Sequence, residues 1–226
     1  MSIALRWGIV HPRQLLDDLE PTRAHDVFRA ELAWREFYAD VLFRRPETAW
    51  QNLQSKMDAM PVDVDRRAKR RFGSWQAGLT GFPIVDAGMR QLRATGWMHN
   101  RVRMIVASFL VKDLHLPWQW GARHFMQHLL DGDLASNSHG WQWTAGTGTD
   151  AAPYFRVFNP TAQSERFDPD GAYIRRWVPE LADLPDAEIH RPGAHRPELY
   201  PPPMVDHAVE RADALARYRS LPTATR

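Results

Sequence analysis

Apolar residues in this chain recur at helical spacing and no segment alternates with a period of two, so the backbone is expected to satisfy its hydrogen bonds inside helices. The pattern is plainest over residues 24–43, AHDVFRAELAWREFYADVLF. There Val27, Phe28, Leu32, Phe37, Val41 and Leu42 fall near one stripe, and Pro46 stands just past the end. The other stripe carries Glu31, Trp34, Arg35 and Tyr38 at i, i+3, i+4 and i+7, which puts a carboxylate, an indole, a guanidinium and a phenol on one face. Further along, Pro83 suits a first helical turn and Gly96 a C-terminal cap, around Ile84, Val85, Met89 and Leu92. Met98 to Leu114 reads as one buried helix, Trp118 to Leu130 as another, and Ser136 as the start of a short one leading into GTGT. From Pro153 to Pro203 prolines are frequent and periodicity is weak, which predicts ordered loops over the core, followed by an amphipathic helix over about Val205 to Arg219. The fold class is therefore all-α, one helical unit over residues 1–226 with no repeat and no marked boundary.

Composition narrows the chemistry. With no cysteine in 226 residues, disulfides, thiolate-held clusters and cysteine nucleophiles are excluded. Redox chemistry falls to a bound cofactor or to aromatic side chains, and ten tryptophans make the second available. No long apolar run appears, and the start MSIALRWGIV lacks the layout of a signal peptide, so no membrane span and a cytoplasmic location are expected. A net charge of +2, with arginine supplying almost all the positive residues, is compatible with nucleic acid without demanding it.

Within the apolar sequence VRMIVASFLV, Arg103 shares a face with Asn100, Met104 and Ala107, and an arginine set that deep needs an anion. The loop DGDLASN offers Asp131 and Asp133, and Asn137 follows where it can cap or line the next helix. Two readings are open: a structural ion pair with a capping asparagine, or an ion pair beside an electron-rich cofactor to which Asn137 presents its amide. Trp75, Trp118 and Trp141 lie on different elements and read as core residues unless the fold gathers them. Trp34 and Trp143 read either as packing residues or as flat faces for stacked bases. His124 and His128 have the i, i+4 spacing of a two-histidine metal site, but the acidic residue of that arrangement is missing and no metal is expected. RRAKRRF, residues 66–72, reads as a solvated loop or a contact to DNA phosphates. GTGTD lacks the lysine of a phosphate-binding loop.

Four stretches carry a resemblance: ELAWREFY (31–38), GFPIVDAGMRQLRATGWMHNRVRMIVASFLVKDL (81–114), FMQHLLDGDLASNSHGWQWTAGTGTDAAPYFRVFNP (125–160) and F-D-x-x-G-x-Y-I-R-x-W-V-P-E-L (167–181). They resemble the C-terminal catalytic domain of the photolyase and cryptochrome family, and specifically a class I cyclobutane pyrimidine dimer photolyase. The resemblance implies a helical domain that binds one FAD, with reduced FADH⁻ as the active form, and repairs a pyrimidine dimer flipped out of DNA. By motif match, Arg103 and Asp131 form an ion pair next to the flavin, Asp133 with Gly132 contacts its ring or ribityl region, and Asn137 faces flavin N5. Phe28, Arg35 and Trp97 line the same cofactor cavity. Glu31 hydrogen-bonds the dimer, helped by Asn100, while Trp34, Tyr38 and Trp143 pack against it, Met104 sits in the cavity wall and Arg101 holds DNA. Catalytic roles fall to Glu31, Asn137 and Met104.

Trp141, Trp118 and Trp75 match the family's chain of tryptophans, which carries electrons from the surface to the flavin on photoreduction. Asn100 stands where (6-4) photolyases carry histidine and plant cryptochromes aspartate, and with Asn137 it favours dimer repair. A cryptochrome-like photosensor and an inactive fragment stay open as alternatives. The family also carries an N-terminal α/β antenna domain with its pigment, then a Thr-Ser-x-x-Ser loop for the FAD phosphates. Ser2 matches the last serine of that loop, so the expectation is an N-terminally truncated FAD- and DNA-binding domain that acts as a monomer.

Overall fold

The computed structural model of the chain describes residues 1–149 and 156–221, and among these no strand occurs. Twelve α-helices follow in order: α1 (Ser2–Arg6), α2 (Pro12–Asp17), α3 (Arg23–Arg44), α4 (Arg66–Ala77), α5 (Pro83–Thr95), α6 (Asn100–Ser108), α7 (Trp118–His128), α8 (Leu134–Ala145), α9 (Pro160–Phe167), α10 (Ala172–Trp177), α11 (Asp186–Ile189) and α12 (His207–Arg219). The all-α expectation is met. Pro153, the expected start of the proline-rich loops, lies outside the described residues.

Local signals explain most helix ends. Pro83 opens α5 and Gly96 closes it in the left-handed region at φ 67°. Asp206 caps α12 by accepting the Ala208 amide at 2.8 Å. Three expectations need correction. RRAKRRF is not a loop but the first half of α4, because Asp65 accepts the Ala68 amide at 2.7 Å and so satisfies the helix start ahead of the basic run. Helix α8 begins at Leu134 rather than Ser136, capped by Asp133, which accepts the Ser136 amide at 2.8 Å. Asn137 therefore lies inside the helix and does not cap it. The proline-rich region between Pro160 and Ile189 folds as α9, α10 and α11, each opened by a proline or a glycine.

The expected single helix from Met98 to Leu114 is also interrupted. It begins only at Asn100, where the His99 ring accepts the Arg101 amide at 3.1 Å. At Phe109–Asp113 it widens into a π-helical turn, closed by Leu114 N–H donating to Phe109 O at 3.0 Å. That turn keeps Phe109, Leu110 and Leu114 in the core, each 0 % exposed, together with Trp75, Val85 and Val106. A smaller core forms around Ile174, Val178, Leu181, Ile189 and Tyr200. The Tyr200 hydroxyl donates to the buried Asp86 carboxylate at 2.6 Å, and the Thr80 and Gly81 amides and the Thr80 hydroxyl donate to the same group. Asp86 thus ties the start of α5 to the segment that precedes α12.

Helix α8 packs on α3, α6 and α7, and this four-helix arrangement places the functional site. Helix α3 buries only Leu32 of its apolar stripe, which leaves Val27 58 % and Phe37 41 % exposed. The approach of α7 to α8 depends on Gly121, where an added Cβ would stand 2.1 Å from the Trp141 ring. Gly121→Ala is expected to lose about 1–3 kcal/mol of stability through forced separation of the two helices. Urea denaturation checks this, and an unchanged midpoint would show that the contact yields without cost.

Candidate functional site

A cavity of about 600 Å³ opens between α3, α6, α7, α8 and the loop before α8. Its α3 wall is the stripe of Glu31, Trp34, Arg35 and Tyr38, brought to one side by the 3.6-residue repeat. Helix α6 contributes Asn100, Arg101, Arg103 and Met104, the loop Asp131, Gly132 and Asp133, and α8 Asn137, Trp141 and Trp143. The residues named from sequence thus converge from four separate segments.

The wall is pinned by charge. Arg103 Nη2 donates to both Asp131 oxygens, at 3.0 and 2.8 Å, while its Nε donates to the Met98 carbonyl at 2.8 Å. The Asp131 side chain is only 2 % exposed and that of Arg103 25 %, so the carboxylate depends on this one cation for the solvation it has lost. Asn137 donates its amide to the Ala122 carbonyl of α7 at 3.0 Å, which fixes its orientation at the wall. On the opposite side the Trp34 and Tyr38 rings stack 5.7 Å apart, and Tyr38 stacks on His139 at 5.3 Å, 3° from parallel. Burial lowers the His139 pKa from its ordinary value. Arg35 pairs with its neighbour Glu36, and Arg101 lies over the Phe167 ring at 4.6 Å.

Five of the expected residues lie outside the lining. Ser2 and Trp97 meet each other instead, the indole N–H donating to the serine oxygen at 3.4 Å across 95 residues of chain. Helix α1 reaches the loop before α8 through Trp7, whose indole N–H donates to Leu130 O at 2.8 Å, and Arg6, which donates to Gly132 O. Phe28 is half-buried on α3. Trp75 and Trp118 are core residues, 0 % and 4 % exposed. Trp141, 3 % exposed, is the member of the tryptophan set that faces the cavity. Its ring stands 6.2 Å from that of Trp75 and 5.0 Å from that of Phe125. Trp75 donates to Val106 O at 3.1 Å and Trp118 to Asn52 Oδ1 at 2.8 Å. None of the three reaches the surface.

Sequence reasoning missed Phe125 and Gly140 as lining residues. Phe125 carried no signal beyond apolar periodicity. Gly140 was legible in principle as a glycine inside a helix, although a Cβ there would meet nothing within 4 Å. The His124 and His128 rings lie 4.1 Å apart, but the Nδ1 of each is engaged, with the Gln76 amide at 3.0 Å and with His124 O at 2.9 Å.

Asp131→Asn and Arg103→Met separate charge from shape. Arg103→Met strands a buried carboxylate and is expected to cost about 3 kcal/mol or more, whereas pairing it with Asp131→Asn should recover a large part of that loss. A double-mutant cycle by denaturant titration checks this. Burial, and then the neighbouring His128, lowers the His124 pKa from 6.5 to about 4. Between those values the unfolded chain binds a proton that the folded one refuses, so stability falls as pH drops through this window. The contribution at pH 5 is about 2 kcal/mol. His124→Gln should therefore lose less stability than wild type between pH 7 and 5.

A family model described as the FAD binding domain of DNA photolyase matches residues 28–220. A deoxyribodipyrimidine photo-lyase of Escherichia coli (strain K12) is 46% identical over 239 aligned positions, which cover 97% of this chain and 49% of that protein. A solved class III photolyase from Agrobacterium tumefaciens is similar at a TM-score of 0.88 and 43% identity, covering 97% of this chain and 48% of its own. An archaeal photolyase from Sulfolobus tokodaii, solved with two FAD molecules, gives a TM-score of 0.89 at 37% identity, over 96% of this chain and 49% of its own. The chain spans about half the length of these relatives. With the family match running from α3 through α12, over the helices that build the cavity, the chain belongs to the family of FAD-binding domains of DNA photolyases.

Proposed function

We propose that this chain binds FAD in the 600 Å³ cavity and uses it to split cyclobutane pyrimidine dimers in DNA under blue light. The observation that carries the reading is convergence. Glu31, Trp34, Asn100 and Trp143, the side chains suited to a pyrimidine dimer, open onto the same cavity as the buried Arg103–Asp131 pair and Asn137. A signalling flavoprotein has no need of that first group.

The lining suits a flavin. Trp141 and Phe125 offer apolar ring faces, and the Arg103–Asp131 pair offers a fixed positive pole with a buried counter-charge. The chemistry supplied when reduced FAD is bound is a light-driven electron, lent to the dimer and recovered after the ring has opened. The chain supplies position and electrostatics. Glu31, exposed at the mouth, accepts a hydrogen bond from a pyrimidine N–H, and Asn100 assists from the facing helix. Trp34 and Trp143 give flat faces to the flipped bases, an interaction worth about 1–3 kcal/mol per base. Met104 fills the wall between them with a polarisable side chain. Arg101 sits at the rim, where a phosphate contact would be salt-sensitive. Trp141 is the entry for electrons from the protein, with Trp75 in ring contact behind it and Trp118 in the same core. The protein acts on DNA as a monomer in the cytoplasm. Among the described residues no helix is long and apolar enough to cross a membrane.

The test is to illuminate the purified chain with reduced FAD and DNA containing a thymine dimer. Light-dependent loss of the dimer is expected, and flavin binding without repair would replace this reading with a photosensor. Trp141→Phe should block photoreduction of oxidised FAD yet leave repair by chemically reduced protein within about twofold of wild type. Equal loss of both activities would remove Trp141 from the electron route and place it in the catalytic wall.

A further inference from the structure

Trp34 faces the cavity from α3 at 38 % exposed, and an indole that open to solvent keeps more than one rotamer unless neighbouring rings hold it. Phe37 meets it edge-on at 5.5 Å but is itself 41 % exposed, and Tyr38 stacks on it at 5.7 Å. Behind Tyr38, 5.3 Å away and 3° from parallel, lies the ring of His139 on α8. Of these four rings only His139 is fully buried, at 2 % exposed, and it does not line the cavity.

The imidazole is gripped at both nitrogens. Its Nδ1–H donates to Ala135 O at 2.8 Å, and its Nε2 lies 3.1 Å from Thr48 Oγ1. Thr48 is 0 % exposed in the 3₁₀ turn Pro46–Ala49 that follows α3, and the Gln142 side-chain amide of α8 donates to its carbonyl at 2.8 Å. The Thr48 hydroxyl also reaches Arg45 O at 2.6 Å. A polar ring is tolerated at this depth only when its nitrogens are paired, so the pairing that permits burial also fixes the plane of the ring. Against that plane α3 lays Tyr38, and on Tyr38 lies Trp34.

We propose that His139 is a positioning residue for the substrate, which fixes the plane of Trp34 through Tyr38 and so raises the affinity for a flipped-out pyrimidine dimer without touching it. This role rests on the photolyase reading of the cavity and adds a specificity element to it. A base stacks best on a face already held in place, because a ring that must be immobilised on binding gives back part of the stacking free energy. With His139 as the fixed end of the column, Trp34 presents its face before the base arrives. The advantage reaches only a base turned into the cavity, so it favours DNA carrying a dimer over undamaged duplex, whose bases stay in the stack.

The test titrates the full chain, carrying FAD and fluorotryptophan, in the dark with DNA containing a thymine dimer and with the same duplex undamaged. His139→Ala is expected to weaken dimer binding about fivefold, while binding of undamaged duplex and repair of an already bound dimer per flash stay within about twofold of wild type. His139→Phe, which keeps a flat ring against Tyr38, should hold dimer affinity within about twofold. In the Trp34→Ala background His139→Ala should cost no further affinity, since the ring it positions is gone. Without DNA, the fluorine NMR signal of Trp34, assigned by its loss in Trp34→Phe, should shift in His139→Ala, and the other tryptophan signals report that the variant is folded. Undiminished dimer affinity in His139→Ala, an equal loss in the Trp34→Ala background, or an unmoved Trp34 signal would each overturn the role of His139. A wild-type chain with no preference for dimer-containing DNA overturns the photolyase reading and this role with it, so the two failures are distinguishable.

Discussion

The Arg103–Asp131 ion pair is the interaction on which the site depends. Arg103 belongs to a helix that buries Val102, Ile105, Val106 and Ala107, and Asp131 to a loop that the pair holds against that helix. At 2 % exposure the carboxylate has given up its water, so the pair is tolerated only because both oxygens meet the guanidinium and the remaining guanidinium contact goes to Met98 O. The next residues follow from that anchoring. Gly132 takes a hydrogen bond from Arg6, Asp133 caps α8, and the cap directs the helix that carries Asn137, Trp141 and Trp143.

Close approach is the second constraint. Gly121 lets the Trp141 ring lie against α7, and Asn137 crosses the same gap to reach Ala122 O. With α7 and α8 locked at that distance, one indole faces the cavity on one side and Trp75 on the other. The π-helical turn after α6 does comparable work at the far end. It allows Leu110 and Leu114 to remain buried while the chain turns into α7, and it is followed by His115 at φ 56°, a strained value for a non-glycine residue.

Periodicity made the helices readable, because hydrogen bonding within a helix is local and its signals lie within a few residues. Pro83 and Gly96 bracket α5 as the sequence suggests, and Asp206 stops α12 two residues from the expected start. The errors have physical causes. RRAKRRF shows only Ala68 and Phe72 of an apolar stripe that Trp75 completes at i+7, so those seven residues alone did not reveal the helix, which Asp65 caps at one end and Trp75 anchors in the core at the other. The widening at Phe109–Asp113 changes no residue type, so periodicity runs through it unmarked. On α3 the apolar stripe is covered only in part, with Leu32 buried and Val27 and Phe37 exposed, while the mixed polar and aromatic stripe faces a cavity.

By itself the sequence determined the helical class, the anion requirement of Arg103 and, through the long stretches that resemble a known family, a list of candidate site residues. It could not decide which of them touch, because the partners lie on segments far apart in the chain and spacing carries no information across that distance. Only the tertiary structure placed Glu31 and Trp143 on one cavity, put Ser2 beside Trp97, and buried Trp75, Trp118 and Trp141, the tryptophans for which the resemblance implies an electron relay. Only it left the Thr147 hydroxyl buried without a partner, since whether a buried polar group is satisfied depends on every atom packed around it.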